Sequence, residues 1–240
     1  APGQAKALLW DLLRPYRKTV FLLAIAVVLE NAARLSVPRL VQVGVDDGVP
    51  PLQRSGDSSV LTQVVVVLLI ALVVLGAGLG LRDPWPADEP RFALISKEMV
   101  ESGQWLFPMR GGELYPDKPP LFMWGIAIGY VLTGSIKVAF LLPSLLAGLL
   151  TILLVWDLGR RLWNPAVGFM AGLLLLFTVQ FTLQAKTAQI DALATAFITL
   201  GLYGFLRFLL CEGGWRWYWL GWFAAGLGVI TKGVGVLALL

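Results

Sequence analysis

Four short stretches place ionisable side chains beside strongly apolar sequence: Asp88-Glu89 with Arg91, Asp117-Lys118, Lys186 with Asp191, and Lys232. Charge at a membrane edge is costly, so such residues tend to line functional cavities or pair with one another. Residues 82–118 form one polar loop between two apolar stretches, so the first two places share a side of the membrane. With Lys186 and Asp191 on that side as well, carboxylates and cations converge at one membrane edge. Such a set suits transfer between a phosphate-bearing lipid and a hydroxyl or phosphate acceptor. The cations would hold the departing phosphate and a carboxylate would accept the nucleophile's proton. The sequence has no histidine, which removes the usual general base and the commonest metal ligand. Its single cysteine, Cys211, excludes an intrachain disulfide and gives no cysteine-rich metal signature. A metal site would need carboxylates alone, open to a divalent cation such as Mg or Ca but marked by no ligand spacing. No cofactor is firmly implied.

Each place also has a plainer reading. Asp88 suits an N-cap, with Pro90 tolerated in the first helical turn. Asp117-Lys118 suits a solvated pair, and Asp191 suits a helix cap or a partner for Lys186. Lys232 suits an interfacial side chain that snorkels to the headgroups.

The elements that must position these residues are apolar. Hydrophobic residues make up 58% of the 240 and charged residues 14%, against about a quarter charged in a soluble domain. Apolar runs at Val20–Leu29, Val60–Leu81, Val138–Trp156, Ala166–Leu183 and Ile190–Leu210 approach or reach the roughly 17–25 residues that cross a bilayer. The pattern predicts an all-α, polytopic membrane protein. The 82–118 loop holds seven of the fifteen acids. Within it Phe92, Ile95 and Met99 recur at helical spacing, with Lys97, Glu98 and Glu101 off that stripe, which predicts an amphipathic helix at the membrane surface. The net charge of +4 lies mostly at the flanks of apolar runs, which suits membrane orientation and not nucleic-acid binding. Lys6, Arg14, Arg17 and Lys18 place the N-terminus in the cytoplasm, and Arg160-Arg161 is the next strongest cytoplasmic mark. Arg207 and Arg216 bracket a further candidate cytoplasmic turn, with an aromatic belt at Trp215, Trp217, Tyr218, Trp219 and Trp222. The chain starts without Met and stops inside an apolar run, and so reads as a fragment.

Seven motifs follow in order: DEPRFALISKEM at Asp88–Met99, SGQW at Ser102–Trp105, LYPDKPPLFMW at Leu114–Trp124, LLPSLLAGLL at Leu141–Leu150, LGRRLW at Leu158–Trp163, QAKTAQIDAL at Gln184–Leu193 and GLGVITKG at Gly226–Gly233. Together they make residues 80–240 resemble the N-terminal half of the membrane glycosyltransferases that use polyprenyl-phosphate sugars. The closest branch is that of the aminoarabinose transferases, related to the protein O-mannosyltransferases. The resemblance implies a truncated GT-C-like fold and an inverting transfer at the periplasmic face of a bacterial inner membrane. The donor would be an undecaprenyl-phosphate-linked sugar, and the acceptor a lipid A-like glycolipid or a protein. It also implies catalytic roles for Asp88, Asp191 and Asp117, and substrate contacts for Lys118, Arg91, Glu89 and Lys186. Asp88 matches the first-loop aspartate that acts on the acceptor, Lys118 the lysine that meets the donor phosphate, and Asp191 the second essential carboxylate. Asp117 stands where glutamate is common.

The first 75 residues differ. LLRPYRKTVFLLAIAVVL followed by VPRLVQVGVDDGVPP resembles the opening of an ATP-binding-cassette exporter's transmembrane domain. That suggests two parts, residues 1–78 as an exporter-like and non-native segment, and residues 79–240 as the transferase part. An exporter permease fragment and a non-catalytic membrane scaffold are therefore the alternatives, although no nucleotide-binding loop follows. Topology sets a constraint. With the N-terminus inside and two crossings before it, loop 82–118 would face the cytoplasm, where the transferase chemistry needs the periplasm. Lys118 and Asp191 must also share a face across three apolar stretches, so one of these is not a full crossing, and Pro119–Leu132 is the shortest.

Overall fold

The computed structural model describes residues 58–233, which fall in one compact unit, Leu52–Leu240. Residues 1–57, which carry most of the exporter-like reading and the basic N-terminal stretch, lie outside the described residues. Helix α1 (Ser58–Gly76) is a run of Val, Leu and Ile. It ends five residues before the apolar run does, because Gly78 and Gly80 take left-handed φ values of 90° and 75° and turn the chain into the polar loop. There α2 (Asp88–Ser102) forms as its spacing predicts: Phe92, Ile95 and Met99 are buried on one face while Lys97 and Glu101 stay exposed and pair with each other. Gly103, at φ 72°, closes it. A two-residue hairpin of β1 (Met109–Arg110) and β2 (Glu113–Leu114) follows. Glu98 ties it to α2 by accepting from the Gly111 amide with both oxygens at 3.1 Å.

Helix α3 (Leu121–Thr133) answers the parity question. Near its start Trp124 Nε1 donates to the Trp105 carbonyl at 2.6 Å, and just past its end Lys137 pairs with Asp83 at 2.7 Å. Both partners belong to the same polar loop, so α3 begins and ends at the same end of the bundle. Its 13 residues reach about 20 Å, short of the roughly 30 Å hydrocarbon core. It turns at Gly134 and folds back onto the following segment. Gly125 and Gly129 permit the close approach, since a Cβ there would sit 3.1 Å from Pro143 and from Leu142.

The chain then continues through α4 (Ile136–Ala139) into α5 (Leu142–Leu162), and Ile136–Leu162 is long and apolar enough to cross a membrane. Helix α6 (Pro165–Phe177) starts on the Asn164 side chain, which accepts from the Val167 amide at 2.9 Å, with Pro165 in its first turn. It continues into α7 (Val179–Ala185) across a 72° bend, the form of a broken span or a re-entrant loop. Helix α8 (Ile190–Leu210) is long and apolar enough to cross a membrane, and α9 (Trp215–Lys232) packs back along it. Among the described residues two helices can cross a bilayer, or three with the bent pair. Ala147 packs with Ala192 and Ala196, and Asp157 reaches Tyr203, so α5 and α8 run parallel. The α8–α9 contact needs glycine: a Cβ on Gly204 would lie 2.7 Å from the Trp217 carbonyl oxygen and 2.8 Å from the Gly221 nitrogen. That tight seam brings the C-terminal end of α9 to the N-terminal end of α8. Two cores hold the rest, one under α2 and α3 around Phe92, Phe122 and Phe140, the other between α1, α5 and α6 around Val67, Ile152 and Leu176.

Candidate functional site

Asp88 and Glu89 open α2 side by side and face different ways. Successive helical residues point about a quarter turn apart, so neighbours in sequence do not share a face. Asp88 is the first residue of the helix and not its cap (Ala87 takes that place), and its half-exposed carboxylate pairs with Arg91 one turn on. The negative charge sits well at a helix N-terminus. Asp191 occupies the first turn of α8 in the same way. Its partner is Lys232, in the last turn of α9, and not Lys186. A carboxylate at one helix start and an ammonium at the neighbouring helix end both agree with the helix dipoles.

These groups share one cavity of about 160 Å³. Asp88, Arg91, Lys118, Asp191 and Lys232 supply its charges, and Phe92, Gln189 and Ile190 complete the wall. Lys118 arrives from the loop just before α3, and among the described residues no carboxylate pairs with it. Three cations therefore face two acids, and one ammonium is uncommitted. A hollow with that balance accepts an anion, and the two carboxylates beside it stand where a hydroxyl proton could be taken. Asp117 is exposed on the rim next to Lys118 and does not line the cavity. Among the described residues no three acidic or thiol groups converge as a metal cage would need.

Glu89 and Lys186 lie elsewhere. Glu89 is buried and does not line the cavity. Its oxygens accept from Arg82 Nη1 and Nη2 at 2.5 and 2.7 Å, from the Trp85 amide at 2.7 Å and from the Ala188 amide at 2.8 Å. Arg82 also donates to the Lys186 carbonyl at 3.0 Å and lies against the Trp85 and Phe140 rings. Burial works to raise the Glu89 pKa, but the Arg82 hydrogen bonds, the two backbone amides and the guanidinium charge outweigh it and hold the carboxyl below its ordinary value. The Glu89 hydrogen bonds raise Arg82 in turn, against its own desolvation. The result is a hub that fastens the start of α2, which carries Asp88, to the turn before α8, which carries Asp191. Lys186 belongs to that turn. Its ammonium donates to the Val74 carbonyl at 2.9 Å and lines a separate, mostly apolar cavity of about 240 Å³ with Leu75, Leu79, Leu141 and Leu145. Sequence reasoning did not single out Arg82 at all, since its partners lie 7 and 104 residues away. Tyr115, under Arg91 at 5.7 Å, is also buried, and burial pushes its phenol above the ordinary value.

The chain and the helices around the charged cavity have counterparts in known proteins. The chain is 36% identical over 174 residues to undecaprenyl phosphate-alpha-4-amino-4-deoxy-L-arabinose arabinosyl transferase 2 of Pseudomonas fluorescens, covering 70% of this chain and 31% of that protein. It is 34% identical over 154 residues to the corresponding transferase of Pseudomonas aeruginosa, covering 62% and 28%. The crystal structure of ArnT from Cupriavidus metallidurans bound to undecaprenyl phosphate superposes with a TM-score of 0.69 at 30% identity, over 73% of this chain and 33% of that one. The chain thus spans about a third of the length of these relatives, and its helices form part of the all-α, GT-C-like fold of that structure. The model of the dolichyl-phosphate-mannose-protein mannosyltransferase family matches residues 117–240, about half of the chain. With that match, and with a fold shared with ArnT, the chain belongs to this family of membrane transferases that use polyprenyl-phosphate sugars.

Proposed function

We propose that the cavity is the transfer site of a glycosyltransferase that moves a sugar from undecaprenyl phosphate to a lipid A-like glycolipid or a protein, at the periplasmic face of a bacterial inner membrane. The observation that carries this reading is the convergence of five charged side chains, from the start of α2, the loop before α3, the start of α8 and the end of α9, on one hollow with a cation in excess. The relatives' names supply the donor class: those transferases are named for an undecaprenyl-phosphate-linked sugar, and the solved one holds undecaprenyl phosphate.

In this reading the donor phosphate takes the place beside Lys118, with Arg91 and Lys232 at its flanks. The acceptor hydroxyl oxygen forms a bond to the anomeric carbon as the bond from that carbon to the phosphate oxygen breaks. Undecaprenyl phosphate leaves carrying the electron pair and a negative charge that the cations stabilise. The hydroxyl proton passes to a carboxylate, Asp88 in the first place and Asp191 as the second candidate. A single displacement of this kind inverts the anomeric centre. The hub at Glu89 and Arg82 acts through position alone, by setting the distance between the two carboxylate-bearing helix starts.

The test is donor turnover in membranes that contain the full-length gene product, supplied with undecaprenyl-phosphate-linked sugar and a panel of glycolipid and protein acceptors. Acceptor-dependent release of undecaprenyl phosphate that disappears in Asp88→Asn supports the reading. Equal turnover in both removes Asp88 from the reaction. No turnover in either, from correctly inserted protein, overturns the transfer reading.

A further inference from the structure

At the end of α8 remote from the cavity, a second charged cluster carries a larger excess of cations, several on one acid. Asp157, in the last turns of α5, accepts from Arg160 Nε at 2.8 Å, from Arg161 Nε at 2.6 Å and from the Tyr203 hydroxyl at 2.5 Å. Arg207 donates to that same hydroxyl at 2.8 Å and approaches Asp157 at 3.4 Å. It also stacks on the Trp217 ring at 4.1 Å, and Arg216 lies over the same ring at 5.6 Å. Three guanidinium groups thus gather on one largely buried carboxylate and Arg216 joins them through the Trp217 ring, with Glu212 the remaining acid of the adjoining turn. Arg207 is nine-tenths buried and its Nε has no hydrogen-bond partner.

A single carboxylate cannot neutralise this set, and partly buried cations without counter-ions are costly at a membrane edge. The surroundings identify where the missing charge comes from. Trp163, Trp215 and Trp219 are exposed around the cluster, as are Leu209 and Leu210. Indole rings with apolar neighbours at a helix end mark the headgroup level of a bilayer. Asp191 and Arg207 lie sixteen residues apart on α8, about 24 Å along the axis, so the cluster and the cavity belong to opposite leaflets. We infer that Arg160, Arg161, Arg207 and Arg216 form a binding site for the phosphate headgroup of an anionic phospholipid in the leaflet opposite the transfer site. The lipid phosphate offsets part of the positive charge that Asp157 leaves, its chains lie against Leu209, Leu210 and the indoles, and the ends of α5, α8 and α9 are held together through it.

The full-length gene product, purified in detergent, is titrated with phosphatidylglycerol, phosphatidylcholine or inorganic phosphate and read by native mass spectrometry. The variants are Arg161→Gln/Arg216→Gln, both on the exposed side of the cluster, and Lys97→Gln/Arg110→Gln, which removes the same charge from the polar loop. The expected result is retention of phosphatidylglycerol over phosphatidylcholine in the wild type and the loop variant, with a loss of roughly 10- to 30-fold in the arginine variant. Arg216→Gln alone is expected to lose part of it, and it tests the site should the double variant fold poorly. Equal retention of both lipids, an equal loss in the loop variant, or inorganic phosphate competing as well as the lipid overturns the site.

Discussion

Asp88 and Glu89 are adjacent in sequence and opposite in situation. Asp88 holds one partner, Arg91, at the mouth of a hollow where Lys118 has no carboxylate partner among the described residues. Glu89 is buried and every lone-pair direction it has meets a donor: two from Arg82, one from Trp85, one from Ala188. A group with all its partners inside the protein has nothing left to offer a substrate, whereas a group with one labile partner can exchange it. What distinguishes the cavity from the hub is therefore the availability of charge and not its amount. Substitutions at the two positions should separate cleanly into lost chemistry and lost structure.

The largest expected effect is at Asp88. Asp88→Asn keeps the size of the side chain and removes the proton acceptor, so turnover should fall by about 10²- to 10⁴-fold. The thermal midpoint of the detergent-solubilised protein should stay put, because a surface ion pair contributes little. Comparable losses of activity and midpoint would instead place Asp88 with Glu89. Next is Glu89→Gln. All four neighbours of the carboxylate are donors, so the new amide must turn its own N–H groups toward at least one of them while leaving Arg82 without its counter-charge. The cost should be about 3–5 kcal/mol of stability, read as a lower thermal midpoint and easier proteolysis of the 82–118 loop. If Glu89→Gln were as stable as the wild type but inactive, the hub would belong to the chemistry after all. Smaller again is Lys118→Gln. Loss of one charge-assisted contact to a phosphate should weaken donor binding by roughly 10- to 100-fold, seen as a raised KM with stability unchanged, since no carboxylate among the described residues depends on it.

The sequence carried much of this frame, for reasons that differ from place to place. Helix α2 was legible because Phe92, Ile95 and Met99 keep one face and are all buried. The non-crossing α3 was legible as the shortest apolar stretch before α8, and its ties to Trp105 and Asp83 supply the geometry behind that. The end of α1 was not, since hydropathy runs on to Leu81 while Gly78 and Gly80 turn the backbone. Asp88, Arg91, Lys118 and Asp191 could be grouped through the order of motifs, and the cavity does bring those four together. Lys232 read equally well as an interfacial side chain, because its pairing with Asp191 crosses 41 residues and depends on how closely Gly204 and Gly221 let two helices approach. The hub was invisible. Nothing in a linear sequence distinguishes a glutamate that faces a cavity from its neighbour that faces the core, or links Arg82 to a carbonyl 104 residues on.

The smallest effect tests the hub without disturbing it, through its acid limb. The folded state holds the Glu89 carboxyl below its ordinary value, while the unfolded chain titrates near about 4.3. Between those two values the unfolded state binds more protons, so stability rises with pH across that window and falls as pH falls through it. At neutral pH the contribution is present in full; below the folded-state value it is gone. Wild type and Glu89→Gln share every other carboxylate, so the difference between their thermal midpoints isolates this one. That difference should be widest at neutral pH and should narrow steadily as the pH drops below about 4.3. A gap that stays constant from neutral to acid would mean that the Glu89 charge is irrelevant to its grip on Arg82 and Ala188, and that shape alone keeps the two helix starts in place.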